Sequence, residues 1–100
     1  MKLATGIVSN EIPVKFSLSQ NYPNPFNPTT NISFDIPKSE FVKLSVYDLS
    51  GKLVDELVNT NLQAGKYTTN WNASKLSSGV YLYKIQAGEF VDVKKLTLIK

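Results

Sequence analysis

Residues 41–54 read FVKLSVYDLSGKLV, two strand-like runs on either side of a short turn. From Val42 to Val46 apolar and polar side chains alternate, which is the period expected for a strand with one buried face. Residues 48–51 end in a glycine, which adopts positive φ at no steric cost and therefore suits a hairpin turn. The second run, 52–58, is the weaker strand because two adjacent carboxylates interrupt it. This stretch predicts a β-hairpin.

Alternation recurs along the rest of the chain, whereas no window sustains the apolar stripe of an amphipathic helix. Further strands are predicted over about residues 14–18, 31–36, 66–71, 79–87 and 90–99. Residues 72–79, with polar capping residues at their start and a glycine at their end, can form a single helical turn. About seven short strands joined by tight turns predict an all-β fold, an antiparallel β-sandwich.

The predicted strands place a set of apolar and aromatic side chains in the interior. The candidate core residues are Ile32, Phe34, Val46, Trp71, Tyr81 and Tyr83. The glycines assigned to turns between strands are Gly51, Gly65, Gly79 and Gly88. A chain of this size buries roughly 60–65% of its unfolded surface, which is enough for one modest core and hence one domain.

The amino-acid composition excludes several classes of function, although it says less about the fold. The 100 residues include no cysteine, histidine or arginine, and all 11 basic residues are lysines. This composition excludes disulfides, thiol chemistry, the usual zinc sites and every catalytic triad that needs histidine or cysteine. The carboxylates are dispersed and lack the spacing of a calcium loop. We expect no enzyme, no metal site and no cofactor.

Charge and hydropathy also limit the partners. The net charge is +3, but the lysines are spread thinly and no arginine fork is available for phosphates or base edges. The longest stretch without charge, residues 16–34, contains three prolines and many polar residues, so it cannot span a membrane. We expect neither a nucleic-acid partner nor direct membrane insertion.

Residues 20–28, here called the Pro-rich loop, are unusual on physical grounds. Three prolines within six residues fix φ, push the preceding residues toward extended geometry and remove three backbone donors. The loop is either a rigid connection between strands, pinned by the rings of Tyr22 and Phe26, or a preformed surface that a partner recognises. For the second interpretation the candidate recognition residues are Tyr22, Pro23, Asn24, Pro25, Phe26, Asn27 and Pro28.

From Phe16 to Lys100 the chain resembles a known family. The order of motifs carries the resemblance: FSLSQNYPNPFNP at 16–28, ISFDIP at 32–37, VYDLSGKLV at 46–54, AG at 64–65, WN at 71–72, SGVYLYKI at 78–85, AG at 87–88 and KKL at 94–96. The chain is similar to type A C-terminal sorting domains, which Bacteroidetes and related bacteria attach to proteins exported through the type IX (Por) secretion system. A related immunoglobulin-like domain of flagellar hook-capping proteins shares parts of this pattern.

The resemblance implies an immunoglobulin-like antiparallel β-sandwich of about seven strands over residues 16–100, with residues 1–15 as a linker or loosely held N-terminal segment. It implies a non-catalytic sorting signal, covalently continuous with an upstream cargo domain as the C-terminal part of a larger bacterial protein. That cargo is expected to cross the periplasm and the type IX outer-membrane translocon. A sortase-like surface peptidase is then expected to cut before Phe16 and to join the cargo to the cell surface. The translocon and this peptidase are the expected partners, and the protein is expected to be secreted or at the cell surface.

The last strand offers a second candidate for recognition. A terminal strand can lie at a sheet edge, where a partner strand adds through backbone hydrogen bonds. The candidate residues are Lys94, Lys95, Leu96, Leu98 and Lys100. In the alternative interpretation the leucines are ordinary core residues of a final strand. Both interpretations are kept, with some side chains packed inward and the lysines and backbone available outward.

The alternative function is an accessory module of a larger extracellular enzyme. Trp71 with Tyr67, Tyr81 and Tyr83 can form an aromatic platform for carbohydrate binding, although core and cross-strand packing is the more common use of such rings. A purely structural spacer is the other possibility in this class.

Overall fold

The computed structural model describes the backbone of residues 6–9 and all of residues 11–100. Its strands are β1 Gly6–Ser9, β2 Ser17–Leu18, β3 Thr29–Ile36, β4 Glu40–Asp48, β5 Leu53–Leu62, β6 Gly65–Asn72, β7 Gly79–Ala87 and β8 Phe90–Leu98. These described residues form no helix, so they include none that is long and apolar enough to cross a membrane. The predicted all-β fold class is confirmed.

The strands form two four-stranded sheets, ordered β1-β6-β3-β2 and β5-β4-β7-β8. All these neighbouring strands are antiparallel. The longest pairing in the first sheet joins β3 to β6, from Thr29 opposite Asn72 to Ile36 opposite Gly65. Because side chains alternate across each strand, every sheet has one inner face, and the two inner faces pack as a sandwich. The last strand, β8, lies at a sheet edge.

The interior between the sheets is one continuous apolar cluster. Its buried members are Leu18, Phe26, Ile32, Phe34, Ile36, Val42, Leu44, Val46, Leu57, Val58, Tyr67, Trp71, Ala73, Tyr81, Tyr83, Ile85, Ala87, Leu96 and Leu98. All six candidate core residues belong to this cluster, and none of them is more than 8% exposed. The largest fully buried side chains are aromatic (Trp71, Tyr83, Phe26 and Phe34), which suits a small domain that must bury much area with few residues.

The edges β2 and β8 lie on the same side of the sandwich. The ring of Phe16, just before β2, stacks on the ring of Phe90 at the start of β8, with centroids 5.3 Å apart and planes 12° apart. This contact joins the two sheets across their open side. The Pro-rich loop follows β2 and therefore begins next to β8.

The N-terminal part of the chain departs from the predicted pattern. Within the predicted linker 1–15, residues 6–9 form β1 against β6, while residues 1–5 and 10 lie outside the described residues. The strand predicted over 14–18 is reduced to the two residues of β2. Since Ser17 lies opposite Asp35, a longer strand would bring Lys15 opposite Pro37, which has no N–H to donate.

Strand β5 is longer than predicted and does not alternate. Its register against β4 shifts between Leu44 and Ser45, so that Leu57 is the extra residue of a β-bulge. The adjacent side chains of Leu57 and Val58 are therefore both buried. Strict alternation of side chains would place these two residues on opposite faces of the strand. That expectation is wrong here because the bulge interrupts the alternation.

Of the four glycines that the sequence assigned to turns, two lie in turns and two do not. Gly51 and Gly88 lie in turns with positive φ, 90° and 61°. Gly65 and Gly79 are instead the first residues of β6 and β7, although Gly79 also has a positive φ, of 153°.

The predicted helical turn at 72–79 is a hydrogen-bonded turn. Leu76 N–H donates to Ala73 O at 3.0 Å, and Asn72 Oδ1 accepts from Ser74 N–H at 2.9 Å.

Replacement of the buried Thr69 by valine is expected to stabilise the fold. Thr69 Oγ1 has no hydrogen-bond partner, and the residue is 0% exposed. Thr69→Val replaces an unsatisfied buried hydroxyl by a methyl group and should raise the free energy of unfolding by about 1 kcal/mol. Urea denaturation measures this.

The matched control is Thr68→Val on the same strand. Thr68 Oγ1 is 2.9 Å from Ser33 Oγ, so this change breaks a hydrogen bond and should not stabilise. If both variants shift the urea midpoint equally, the explanation from the unsatisfied hydroxyl is wrong.

Candidate recognition surface

Phe26 fixes the Pro-rich loop to the body of the sandwich. Its side chain is 2% exposed, and its ring centroid lies 5.6 Å from that of Trp71. Burial of a side chain of this size stabilises by roughly 1.5–3 kcal/mol. The middle of the loop is therefore a part of the hydrophobic core.

The backbone of Phe26 also extends the sheet beyond β8. Its N–H donates to Thr97 O at 3.0 Å, and its carbonyl oxygen accepts from Ile99 N–H at 2.9 Å, which forms a parallel bridge opposite Leu98. The side-chain oxygen of Asn24 accepts from Thr97 N–H at 3.1 Å. The Pro-rich loop and the end of β8, predicted as two separate candidates, thus form one surface.

A buried hydroxyl fixes the start of the loop. Tyr83 OH, on β7, donates to Ser19 O at 2.7 Å and accepts from Asn21 N–H at 2.8 Å. The Tyr83 side chain is fully buried and Asn21 is 2% exposed, so the second bond satisfies two polar groups that water does not reach. Burial raises the pKa of Tyr83 to about 12, because the phenolate would lose its hydration, and the negative charge of Asp92 adds to the rise.

The base of the loop is closed by two buried polar side chains. Asn21 Nδ2 donates to Pro23 O at 3.1 Å and to Thr30 Oγ1 at 3.0 Å. Thr30 Oγ1 donates to the same Pro23 oxygen at 2.8 Å. Between them, Tyr22 and Asn31 exchange two backbone hydrogen bonds, of 3.0 and 2.9 Å. These bonds, in addition to the prolines, make the loop rigid.

The loop occupies part of the outer edge of β8. Gln20 Nε2 donates to Lys95 O at 2.7 Å, and the N–H and C=O of Thr97 and the N–H of Ile99 are bound by the loop as described. A partner strand could reach these groups only by displacing the loop. A partner strand, expected to add at the edge of the last strand, therefore finds these backbone groups already bound.

The candidate residues separate by exposure. Phe26, Leu96 and Leu98 are at most 2% exposed, so their side chains are core residues and cannot contact a partner. Tyr22, expected to pin the loop together with Phe26, is instead 79% exposed. Pro28 and Lys94 are half-buried. The candidates on the outside are Tyr22, Pro23, Asn24, Pro25, Asn27, Lys95 and Lys100.

Charge is confined to the margins of this surface. The Pro-rich loop carries none. Lys94 Nζ lies 3.9 Å from an oxygen of Asp92, and Lys100 Nζ donates to Ser74 O at 2.7 Å. The described residues include no group of three or more histidine, cysteine, aspartate or glutamate side chains that could hold a metal ion.

The aromatic residues considered for a sugar platform are interior residues. Trp71 is 1% exposed, its indole N–H donates to Asp55 Oδ2 at 2.8 Å, and its ring meets Tyr81 edge-on with centroids 6.2 Å apart. Tyr67 and Tyr83 are at most 8% exposed. A sugar ring cannot stack on buried faces, so these residues do not form the predicted platform.

Sequence reasoning missed the polar groups that hold the loop. Asn21, Thr30 and the hydroxyl of Tyr83 were not singled out, although Asn21 stands beside the prolines. Asn24 was named as a candidate for recognition, yet its side-chain oxygen binds Thr97, far along the chain. A polar residue buried beside a rigid loop gives no periodic pattern, because its partners are set by the tertiary fold.

Comparison with known proteins agrees with this architecture. The family model for secretion system C-terminal sorting domains matches residues 20–100. Among solved structures the chain is similar to PorZ of Porphyromonas gingivalis, an essential bacterial surface component of the type IX secretion system. The TM-score is 0.56 at 18% identity, over 85% of this chain and 11% of the PorZ chain, so this likeness concerns the fold alone. A search of curated proteins finds no match.

Removal of the Tyr83 hydroxyl should loosen the loop. Tyr83→Phe leaves the N–H of the buried Asn21 without a partner, and the free energy of unfolding should fall by about 1–3 kcal/mol. Tyr81→Phe is the control, because its hydroxyl donates to the carbonyl of the exposed Ser77, which water can bind instead. Chemical denaturation compares the two, and an equal loss would contradict the role of Tyr83.

The same hydroxyl predicts a loss of stability at alkaline pH. The pKa of Tyr83 is about 12 in the folded chain against 10.0 for an unperturbed tyrosine, so the unfolded state releases its proton first. Stability should therefore fall as the pH rises from 10 to 12, by at most about 2–3 kcal/mol. The difference between the wild-type chain and Tyr83→Phe isolates this contribution. Parallel stability curves for the two would contradict the prediction.

Proposed function

Because the chain belongs to the family of secretion system C-terminal sorting domains, we propose that it directs a larger cargo protein through the type IX outer-membrane translocon. The chain is covalently joined to this cargo. After passage from the periplasm, a sortase-like surface peptidase cuts before Phe16 and attaches the cargo to the cell surface. The domain acts as a signal that partners bind, and it performs no chemistry of its own.

The joint surface of the Pro-rich loop and β8 is the observation that carries this proposal. A signal read on a folded domain has to be rigid and exposed, because flexible groups lose entropy when a partner binds them. The loop meets both conditions, since Phe26 is anchored in the core while Tyr22 is 79% exposed. The surface also depends on residues from both ends of the chain, from Gln20 to Ile99, so it exists only when the domain is folded.

The sugar-binding alternative receives no support from the aromatic residues considered for it. All four are in the interior, and the exposed Tyr22 is a single ring with prolines on its C-terminal side. The spacer alternative makes a different prediction for export, and the following experiment separates it from sorting.

The full 100-residue chain, fused behind a periplasmic reporter protein, should bring the reporter to the surface of a host with a type IX system. Surface labelling and cell fractionation measure the outcome. The same fusion in a host without the translocon is the control and should stay in the periplasm. Periplasmic retention of the reporter in the competent host would favour a spacer and contradict the sorting function.

Deletion of residues 96–100 from this fusion should leave the reporter in the periplasm. The deletion removes the buried Leu96 and Leu98 together with the backbone groups that hold the loop. Normal export of the shortened fusion would contradict the need for this end of the chain.

A further inference from the structure

We propose that the end of β8 together with Ile99, residues 95–99, holds the Pro-rich loop in position; this segment is called the clasp. The export partner binds the uncharged outer face of the loop, with Tyr22 as the anchor residue. The terminal residues are needed because they position the loop, and the partner does not bind their side chains or their strand edge. This inference rests on the proposed sorting function and specifies which part of the surface is bound.

The exposure of Tyr22 is the first observation. Its side chain is 79% exposed, although its backbone is held on both sides by Asn31. A large ring presented to water on a fixed backbone is the kind of residue that supplies most of the affinity at protein interfaces. Phe26, four residues later, has the opposite role because it is buried.

The fixed backbone of the loop is the second observation. Hydrogen bonds hold the backbone N–H and C=O groups of both Tyr22 and Phe26. They also hold the N–H of Asn21 and the carbonyl oxygens of Pro23 and Pro28. A partner that binds this loop therefore needs to order little backbone, and the cost in conformational entropy is small.

The third observation is that backbone groups at the end of β8 are already bound by the loop. Leu96 and Leu98 point into the core, and the backbone N–H and C=O of Thr97 and the N–H of Ile99 are bound by the loop. The exposed side chains that could still be contacted are those of Lys95, Ile99 and Lys100, and Lys100 reaches back to Ser74 O. This end of the strand offers a partner little, whereas its removal would free the loop.

The chemistry of the loop indicates the kind of partner. Residues 16–34 carry no charge, and the outer face presents Tyr22, proline rings and the amide of Asn27. Such a face suits a protein pocket lined by apolar and aromatic side chains, with a hydrogen-bonding group for the amide. It does not suit a site that selects phosphate or carboxylate groups.

The first test compares two exposed aromatic residues in the reporter fusion that carries the full chain. Tyr22→Ala should lower surface export about tenfold, as expected for the loss of an interface anchor. Phe41→Ala is the matched control, because Phe41 is 48% exposed and lies by the Ala87 end of β7, away from the loop. Lys95→Gln and Lys100→Gln should export normally. The melting temperature of each purified chain shows whether it is folded.

The second test concerns the clasp. Asn24→Ala removes the oxygen that binds Thr97 N–H and should both lower export and speed hydrogen exchange of the Thr97 amide. Asn24→Asp keeps an acceptor oxygen and should restore both. If Asn24 acts by positioning the loop, export and the exchange protection of the Thr97 amide are restored together. Restored exchange protection without restored export would overturn that role and assign the Asn24 amide to direct contact.

The outcomes separate the two proposals. If the unchanged fusion is not exported, the sorting function itself fails. If the unchanged fusion and folded Tyr22→Ala are exported equally, sorting stands and the anchor is wrong. If folded Lys95→Gln or Lys100→Gln loses export while Tyr22→Ala does not, the partner binds the end of β8 and the clasp proposal is overturned.

Discussion

The burial of Phe26 between the two sheets is the contact on which the rest of the candidate recognition surface depends. Its ring lies against Trp71 in the core, and its backbone bonds to Thr97 and Ile99 at the end of β8. One residue therefore joins the Pro-rich loop to the hydrophobic core and to the last strand at once. Because the prolines cannot donate backbone hydrogen bonds, the loop needs such an anchor to take a single conformation. With Phe26 fixed, the short stretch between it and Asn21 has little freedom left.

This arrangement also covers part of an exposed sheet edge. The last strand ends its sheet, and an unpaired edge invites addition of foreign strands. The side chains of Gln20 and Asn24 and the backbone of Phe26 cover the outward groups from Lys95 to Ile99. Under the proposed sorting function this cover is an advantage, because nonspecific strand pairing would compete with binding of the partner. The same cover makes the surface sensitive to the state of the chain end, so a shortened or unfolded domain would not present it.

Fold class and core followed from the alternation of side chains, since the burial of one sheet face is a local and periodic property. Six candidate core residues, among them Trp71 and Tyr83, lie in the interior. The errors arose where something non-local intervened. The bulge at Leu57 depends on the register against β4, and β2 is short because a proline stands where its neighbour would need a donor. Neither feature changes the period of the sequence, so pattern reading could not detect them.

By itself the sequence determined an arginine-free, cysteine-free β-sandwich with a rigid proline segment, because composition, period and proline geometry are properties of the chain alone. Only the tertiary structure decided that Tyr22 is exposed while Phe26 is buried, although both are aromatic residues of one loop. It also decided that residues more than 70 apart, Asn24 and Thr97, meet across the edge of the sandwich. Such pairings depend on which strand edges the folded sheets bring together, and this information lies in the packing of the whole chain.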